Sequence, residues 1–449
     1  MTVIAPPRIE AAMVNGSARH RSHQGVAVAV GVLLGLAAAV PGVVSFIPAF
    51  GIRPWHILVC GALALALAST PGTVLRRVKI TALDVAVVLY ACAYVLVEYS
   101  NSTELGFRLD LVAALSPFFF LIGFYAARIA VDGVASARWL LTGFATPAIP
   151  AAVVAVLQLG SPAFSAAVLR IAPGPGLEAR LADGRLIRAT GLVGHWTGSG
   201  FYFCTALAAA CTALVLCKRQ GFRVPPVTMI SLVAAVFGAV SSLTITVVLT
   251  ALVVVIMTLV VVGVRAGRIA ALLGLVAVVY FQFGDYLSER LEQQTAHRSE
   301  YVPAWVPNTI AYRWKIWTEQ TIPMIRERPW SGWGTNVYNS ADRPRQLVWG
   351  SAESQWFGGA ISSGVVVTAM LAATLLAALI LVARGSTKEN GRWKLPMVGL
   401  LVSVLLASFT VPLFTNRGLP IGIWVLFGVV LAVDAALSRD IEDVESGER

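Results

Sequence analysis

Apolar runs long enough to cross a bilayer recur along this chain and leave few other ways to fold. A hydrocarbon core needs roughly 17–25 apolar residues per helical crossing. Runs of that kind cover 25–45, 55–72, 82–98, 109–127, 139–158, 191–217, 269–284, 357–383, 395–411 and 420–437, and 226–263 is long enough for two with a polar break at Ser241 to Thr244. With 57% hydrophobic and 13% charged residues, the chain carries about half the charge of a soluble domain. Backbone polar groups in lipid must be satisfied within the segment, which selects helices. The expected fold is all-α and polytopic, with about twelve transmembrane helices and a large helical extracytoplasmic loop late in the chain.

Lys/Arg clusters set the orientation. Arg76, Arg77 and Lys79, then Arg128 and Arg138, then Lys218, Arg219 and Arg223, then Arg265 and Arg268, then Arg384, Lys388, Arg392 and Lys394 fall on alternate connections, on the side of both termini. That side is expected to be cytoplasmic. The same bias accounts for the net charge of +11. No basic, aromatic soluble module is present to bind nucleic acid. The five cysteines lie in or beside apolar runs without ligand spacing, so neither a disulfide nor a metal site is expected from them. No metal or cofactor is expected at all.

Two polar stretches then face outside. The organisation expected is an N-terminal bundle over 1–284 with a short outer segment at 159–190, an extracytoplasmic catalytic loop over 285–356, and C-terminal helices with a cytoplasmic tail over 357–449. Both outer stretches hold arginines against the usual charge bias, which implies partners for them. In the first, Leu177 to Ile187 reads as an interfacial helix. Arg188 follows, just before Gly191, Gly194, His195, Gly198 and Gly200. These glycines suit a broken helix end whose N–H groups face an anion, and equally suit close helix packing. His195 reads as a polar contact within the bundle or as a catalytic group.

The second stretch holds Trp305, Trp314, Trp317, Trp330, Trp333, Trp349 and Trp356. They fit an aromatic belt at the interface, or a surface for sugar rings or a prenyl chain. A helix is expected over 309–322, kinked at Pro323 and ended by Pro329. Its i, i+4, i+7 spacing puts Arg313, Trp317 and Gln320 on one face. Lys315, Arg345, Arg343 and Arg108 are further cations. Asp84 and Glu98 sit in or at the end of the third run, where carboxylates are costly enough to suggest function.

This layout resembles the O-antigen ligase and polymerase family. The specific matches are Arg188 before its glycine-rich stretch, Arg313-Trp-Lys-Ile-Trp317, and Arg328-Pro-Trp-Ser-Gly332-Trp-Gly334, which keeps the family's Pro-x-x-Gly-x-Gly turn. The resemblance implies an inverting, metal-independent transfer of a glycan from a polyprenyl (undecaprenyl-type) pyrophosphate donor to a glycan or glycolipid acceptor hydroxyl, at the outer face of the cytoplasmic (inner) membrane. It also implies that Arg188 and Arg313 bind the donor pyrophosphate. The family's ligases carry a His-Asn pair after the loop; here Glu353 and Ser354 stand there, with Gly364 at the equivalent distance. Glu353 reads either as the base that takes the acceptor proton or as a structural carboxylate paired to an arginine. The alternative class is a polytopic transporter or flippase, which should show internal repeats and midplane charges. The halves show no convincing repeat, and the charges gather at the outer face.

Overall fold

Hydrophobic runs without prolines at their centres become helices, and prolines mark where they start. The computed structural model describes residues 8–40, 51–70, 80–106, 109–263, 266–295, 306, 308–335, 337–338, 344, 347–386, 389–414 and 418–445. Among them the fold is helical and no strand forms. The helices are α1 (Arg8–Ala39), α2 (Pro54–Ser69), α3 (Ala82–Leu105), α4 (Leu111–Ala114), α5 (Ser116–Ala130), α6 (Val134–Ala145), α7 (Ala148–Gly160), α8 (Pro162–Ile171), α9 (Pro175–Ala182), α10 (Trp196–Arg219), α11 (Pro226–Ser241), α12 (Ile245–Val262), α13 (Ala266–Thr295), α14 (Asn308–Ile316), α15 (Ile322–Glu327), α16 (Gln355–Ala383), α17 (Leu395–Ala407) and α18 (Gly418–Glu445). Proline occupies the first turn of α2, α5, α8, α9, α11 and α17. There its missing N–H leaves no intrahelical bond unmade.

Six segments are long and apolar enough to cross a membrane among the described residues: Ala82–Leu105, Val134–Gly160, Trp196–Arg219, Ile245–Val262, Gln355–Ala383 and Gly418–Arg439. By length and composition, each of them could cross a membrane. Five shorter apolar helices accompany them: His23–Ala39, Pro54–Ser69, Ser116–Ala130, Pro162–Ile171 and Pro226–Ser241. The expected count of twelve is therefore met only in part. A 16-residue helix such as α2 spans about 24 Å, short of a hydrocarbon core of roughly 30 Å. The segment expected to hold one interfacial helix after residue 159 holds two, α8 and α9, separated at Pro173. The helix α13 runs past residue 285, where the polar loop was expected to begin.

The helix α10 is the central pillar. Its apolar window is 94% buried, and α6, α11, α12, α17 and α18 pack around it. Its sequence explains this: Gly, Ala, Ser, Thr and Cys dominate and let neighbouring backbones approach. A Cβ on Gly200 would meet Ser242 Oγ and Val247 at 2.7 Å. Packing is thus the role of Gly200.

Of the two suspect carboxylates on α3, Asp84 lies at its start and is buried beside Arg128 of α5, 2.6 Å from Nη1. Tyr125 donates to the same oxygen, and the Thr81 hydroxyl and amide donate to the other. A buried charge so fully partnered is structural. Glu98, near the other end of α3, is partnered by Thr335 instead.

Candidate functional site

The face predicted on α14 is realised, and it has a partner that the spacing could not name. Arg313, Trp317 and Gln320 grip the stretch 349–353 in antiparallel order. Gln320 brackets Trp349, accepting from its N–H at 2.8 Å and donating to its carbonyl at 3.4 Å. The Trp317 indole donates to the Ala352 carbonyl at 2.8 Å. Arg313 Nη2 meets Glu353 Oε2 at 3.3 Å. Trp317 to Thr321 form a widened π turn between α14 and α15. In an uninterrupted α-helix the Pro323 ring would collide with the Glu319 carbonyl. The widened turn, in which Ile322 N–H bonds to the Trp317 carbonyl, ends just before that proline. Turns of this type recur at functional sites.

Glu353 is held unusually. Its φ is +52°, a region that side chains with a Cβ rarely enter. Ser351 Oγ accepts from its N–H at 3.0 Å. Ser354 then caps α16, its hydroxyl accepting from Phe357 N–H. Glu353 therefore sits immediately before the cap of a candidate membrane span, strained and aimed at Arg313. The side chains are 20% and 34% exposed, so the pair is reachable yet shielded.

The second fixture is the turn at 329–334. The helix α16 is broken at Gly364, whose φ is +79°. The break strips carbonyls at 361 and 362 of helical partners. Trp333 N–H bonds to Ile361 O at 2.7 Å and Gly334 N–H to Ser362 O at 2.8 Å, while Val365 N–H returns a bond to Pro329 O at 2.7 Å. The Pro-x-x-Gly-x-Gly turn is thus the plug for a broken membrane helix, which is the form in which irregular backbone survives there.

The third fixture is the end of α3. Arg328 donates to Glu104, to Asn101 Oδ1 at 3.4 Å and to Ser331 Oγ at 3.2 Å, and lies over the Trp333 ring. Asn101 Nδ2 donates to Ser331 O at 2.7 Å. Glu98 accepts from both the amide and the hydroxyl of Thr335, each at 2.9 Å. Sequence reasoning missed Arg328, Asn101 and Glu104 as a unit. The available signal was the spacing of Glu98, Asn101 and Glu104, which share one face of an otherwise apolar helix. Where α3, α5, α16 and Thr335 meet lies a cavity of about 300 Å³, lined by Tyr90, Tyr94, Ser116, Gly358, Ser362 and Trp424 among others. Gln355, two residues beyond Glu353, also lines it.

Arg188 belongs to another cluster. It is buried; its Nε donates to Ser242 O at 3.2 Å and its Nη2 to Thr244 Oγ1 at 2.5 Å. These are the groups freed where α11 breaks from α12. Its guanidinium lies 4.4 Å from the Trp196 ring centroid, and Arg180 lies over the same ring at 5.1 Å. His195, just outside the span Trp196–Arg219, caps α10, its Nδ1 accepting from Thr197 N–H at 3.2 Å. Burial, and secondarily the Arg188 charge, push its pKa down to about 4. The imidazole is neutral at pH 7 and works as a helix cap.

Residues 227–372 match the family model described as O-antigen ligase. The match supports assignment to the O-antigen ligase and polymerase family. No curated protein matches the chain. The matched stretch starts in α11 and ends in α16, so it holds Arg313, Trp317, the turn at 329–334, Glu353 and Gly364, and it leaves out Arg188 and His195. For an O-antigen ligase-type domain these residues fall into two groups. Arg313, Trp317 and Glu353 are brought together, and Arg188 and His195 are brought together beside Trp196. Lys315 is exposed on α14. Arg345, Arg343 and Arg108 lie outside the described residues. The match also supports glycosyl transfer by a membrane enzyme of this type, and lipid-linked glycans as its class of substrate.

Proposed function

We propose that this chain is an inverting, metal-independent glycosyltransferase, moving a glycan from a polyprenyl-pyrophosphate donor to an acceptor hydroxyl at the outer face of the cytoplasmic membrane. One observation carries the reading. Inside the stretch that matches the O-antigen ligase model, Arg313 and Glu353 meet at 3.3 Å on a reachable surface, at a residue held in a strained backbone. Strain of this kind persists where the surroundings impose it, and it gathers at working sites.

The chemistry follows from the two charges. Before the donor binds, each neutralises the other. A pyrophosphate competes for Arg313 because a guanidinium is always charged and binds phosphate oxygens as a fork. Glu353 is then released as a carboxylate. The acceptor hydroxyl attacks the anomeric carbon from the face opposite the leaving group, and its proton passes to Glu353 as the new carbon–oxygen bond forms. The bond to the pyrophosphate oxygen breaks, and the electron pair leaves with polyprenyl pyrophosphate, where Arg313 stabilises the added charge. Arg188 is the second donor-binding cation in this scheme; the donor would bridge the two groups. A carboxylate where the family's ligases carry histidine favours a polymerase, or a ligase for a different acceptor.

The test uses full-length protein purified in detergent with a polyprenyl-pyrophosphate glycan. Arg313→Lys, Arg188→Lys and Glu353→Gln are each expected to lose most transfer while eluting as the parent does. A chelator should leave transfer intact. Full activity in both Arg313→Lys and Glu353→Gln would sink the proposal.

A further inference from the structure

At the end of α10 opposite His195 and Arg188 lies a second basic site. A pocket of about 600 Å³ is walled by Lys218 and Arg219 at the end of α10, Arg392 and Trp393 before α17, Val261 at the end of α12, and Leu437 of α18, with smaller contributions around them. Three cations line it, and among its lining residues there is no carboxylate. The adjacent Lys394 is already matched by Asp434 at 2.6 Å. Lys218 and Arg392 are exposed, and neither has a carboxylate partner among the described residues.

Trp393 supplies an independent observation. It is 2% exposed, and its indole Nε1–H is buried with no hydrogen-bond partner. Buried polar groups are almost always paired, so this orphan donor, on a residue that lines the pocket, asks for an acceptor. Cations and a neutral donor together ask for an anion with several oxygens. Apart from Gln220, the remaining walls are aliphatic: Val134, Leu216, Val261, Val262 and Leu437. A free anion has no use for such walls; an anion carrying acyl chains does.

We propose that this pocket binds the phosphodiester headgroup of an anionic glycerophospholipid, with its acyl chains against Val261 and Leu437. Basic pockets between span ends recognise such headgroups by charge and by charge-assisted hydrogen bonds. Lys218 and Arg392 hold the phosphate charge, with Arg219 beside them on the wall, and the Trp393 N–H donates to one of its oxygens. The site is distinct from the one that holds Arg313 and Glu353.

Native mass spectrometry of the purified full-length protein, titrated separately with phosphatidylglycerol, phosphatidylcholine and inorganic phosphate, tests this. Phosphatidylglycerol should stay bound under activation that strips phosphatidylcholine. Lys218→Gln with Arg392→Gln, both exposed positions, should lower bound phosphatidylglycerol by about fivefold or more without changing elution on gel filtration. Trp393→Phe, which keeps the charge and removes the donor, should lower it by about twofold. Equal retention of the two lipids, or an unchanged adduct in both variants, overturns the proposal. Inorganic phosphate that displaces phosphatidylglycerol at comparable concentration assigns the site to free phosphate and overturns the lipid reading.

Discussion

Gly332 rests directly on the backbone of Gly364. A Cβ on Gly332 would lie 2.7 Å from the Gly364 amide nitrogen and 2.5 Å from the Ile361 carbonyl oxygen, and a Cβ on Gly364 would strike the Trp330 carbonyl. Both residues have positive φ. The amides that follow Gly332 need this closeness to reach the carbonyls left open by the helix break. The polar segment and the membrane helix α16 are therefore one structural unit, which holds Glu353 and Gln355 where that helix begins.

Gly332→Ala and Gly364→Ala should each undock the turn. The left-handed backbone alone costs about 1–2 kcal/mol for a residue with a Cβ, and the neighbouring atoms are backbone that cannot give way. Each variant should melt lower than the parent in detergent and lose glycan transfer. Gly350→Ala is the control: nothing lies within 4 Å of its added Cβ, and its melting should match the parent. A parent-like melt in both Gly332→Ala and Gly364→Ala would contradict the docking.

Arg313 and Glu353 separate stability from activity. A partly exposed ion pair contributes at most about 1 kcal/mol to stability. Glu353→Asn should melt at or above the parent, because asparagine tolerates positive φ better than glutamate does, while transfer falls by about 100-fold or more, the usual scale for a lost general base. Arg313→Lys should raise KM for the donor and lower kcat. If Glu353→Asn retains near-parental transfer, the carboxylate is structural only.

Arg328 ties the turn to α3 through Glu104, Asn101 and Ser331. Arg328→Ala should cost about 1.5–3 kcal/mol, the range for hydrogen bonds to a charged group. Hydrogen exchange should rise at 331–335 and stay unchanged in α10. Arg328→Lys should restore little, since one ammonium cannot span the same acceptors. Uniform protection across the turn in Arg328→Ala would refute the tether.

Periodicity made much of this legible. Apolar runs marked the helices, and the spacing of Arg313, Trp317 and Gln320 marked a shared face. What spacing cannot supply is the partner. Arg328 and Glu104 lie 224 positions apart, and Thr335 and Glu98 lie 237 apart; nothing local in either segment encodes the other. Pro323 signalled a distortion but not its form, because a kink and a widened turn both relieve the same clash. The glycines at 191–200 were equally compatible with an anion site and with packing, and at Gly200 neighbouring side chains decide for packing. The break at Ser241 to Thr244 was visible as polar residues, yet its use, exposing the carbonyl that Arg188 binds, is tertiary.

His195 should set the acid limit of the cap at α10. In the unfolded chain its pKa is about 6.5; in the fold it is pushed down to about 4 by burial and then by Arg188. Above pH 6.5 both states are neutral there, and stability does not depend on this group. As pH falls from about 6.5 to about 4, the unfolded state takes up a proton that the folded state refuses, so stability falls by up to about 1.4 kcal/mol per pH unit. Below about 4 both states are protonated and the slope from this residue ends. His195→Asn keeps an acceptor for the Thr197 N–H, since asparagine is among the best helix caps, and removes the titration. Its melting temperature should equal the parent's near pH 7.5 and exceed it at pH 5. Identical acid slopes in the two proteins would show that the imidazole is not held neutral. Because a group titrating near 4 is already deprotonated through the neutral range, any inflection of transfer activity between pH 6 and 8 should persist in His195→Asn.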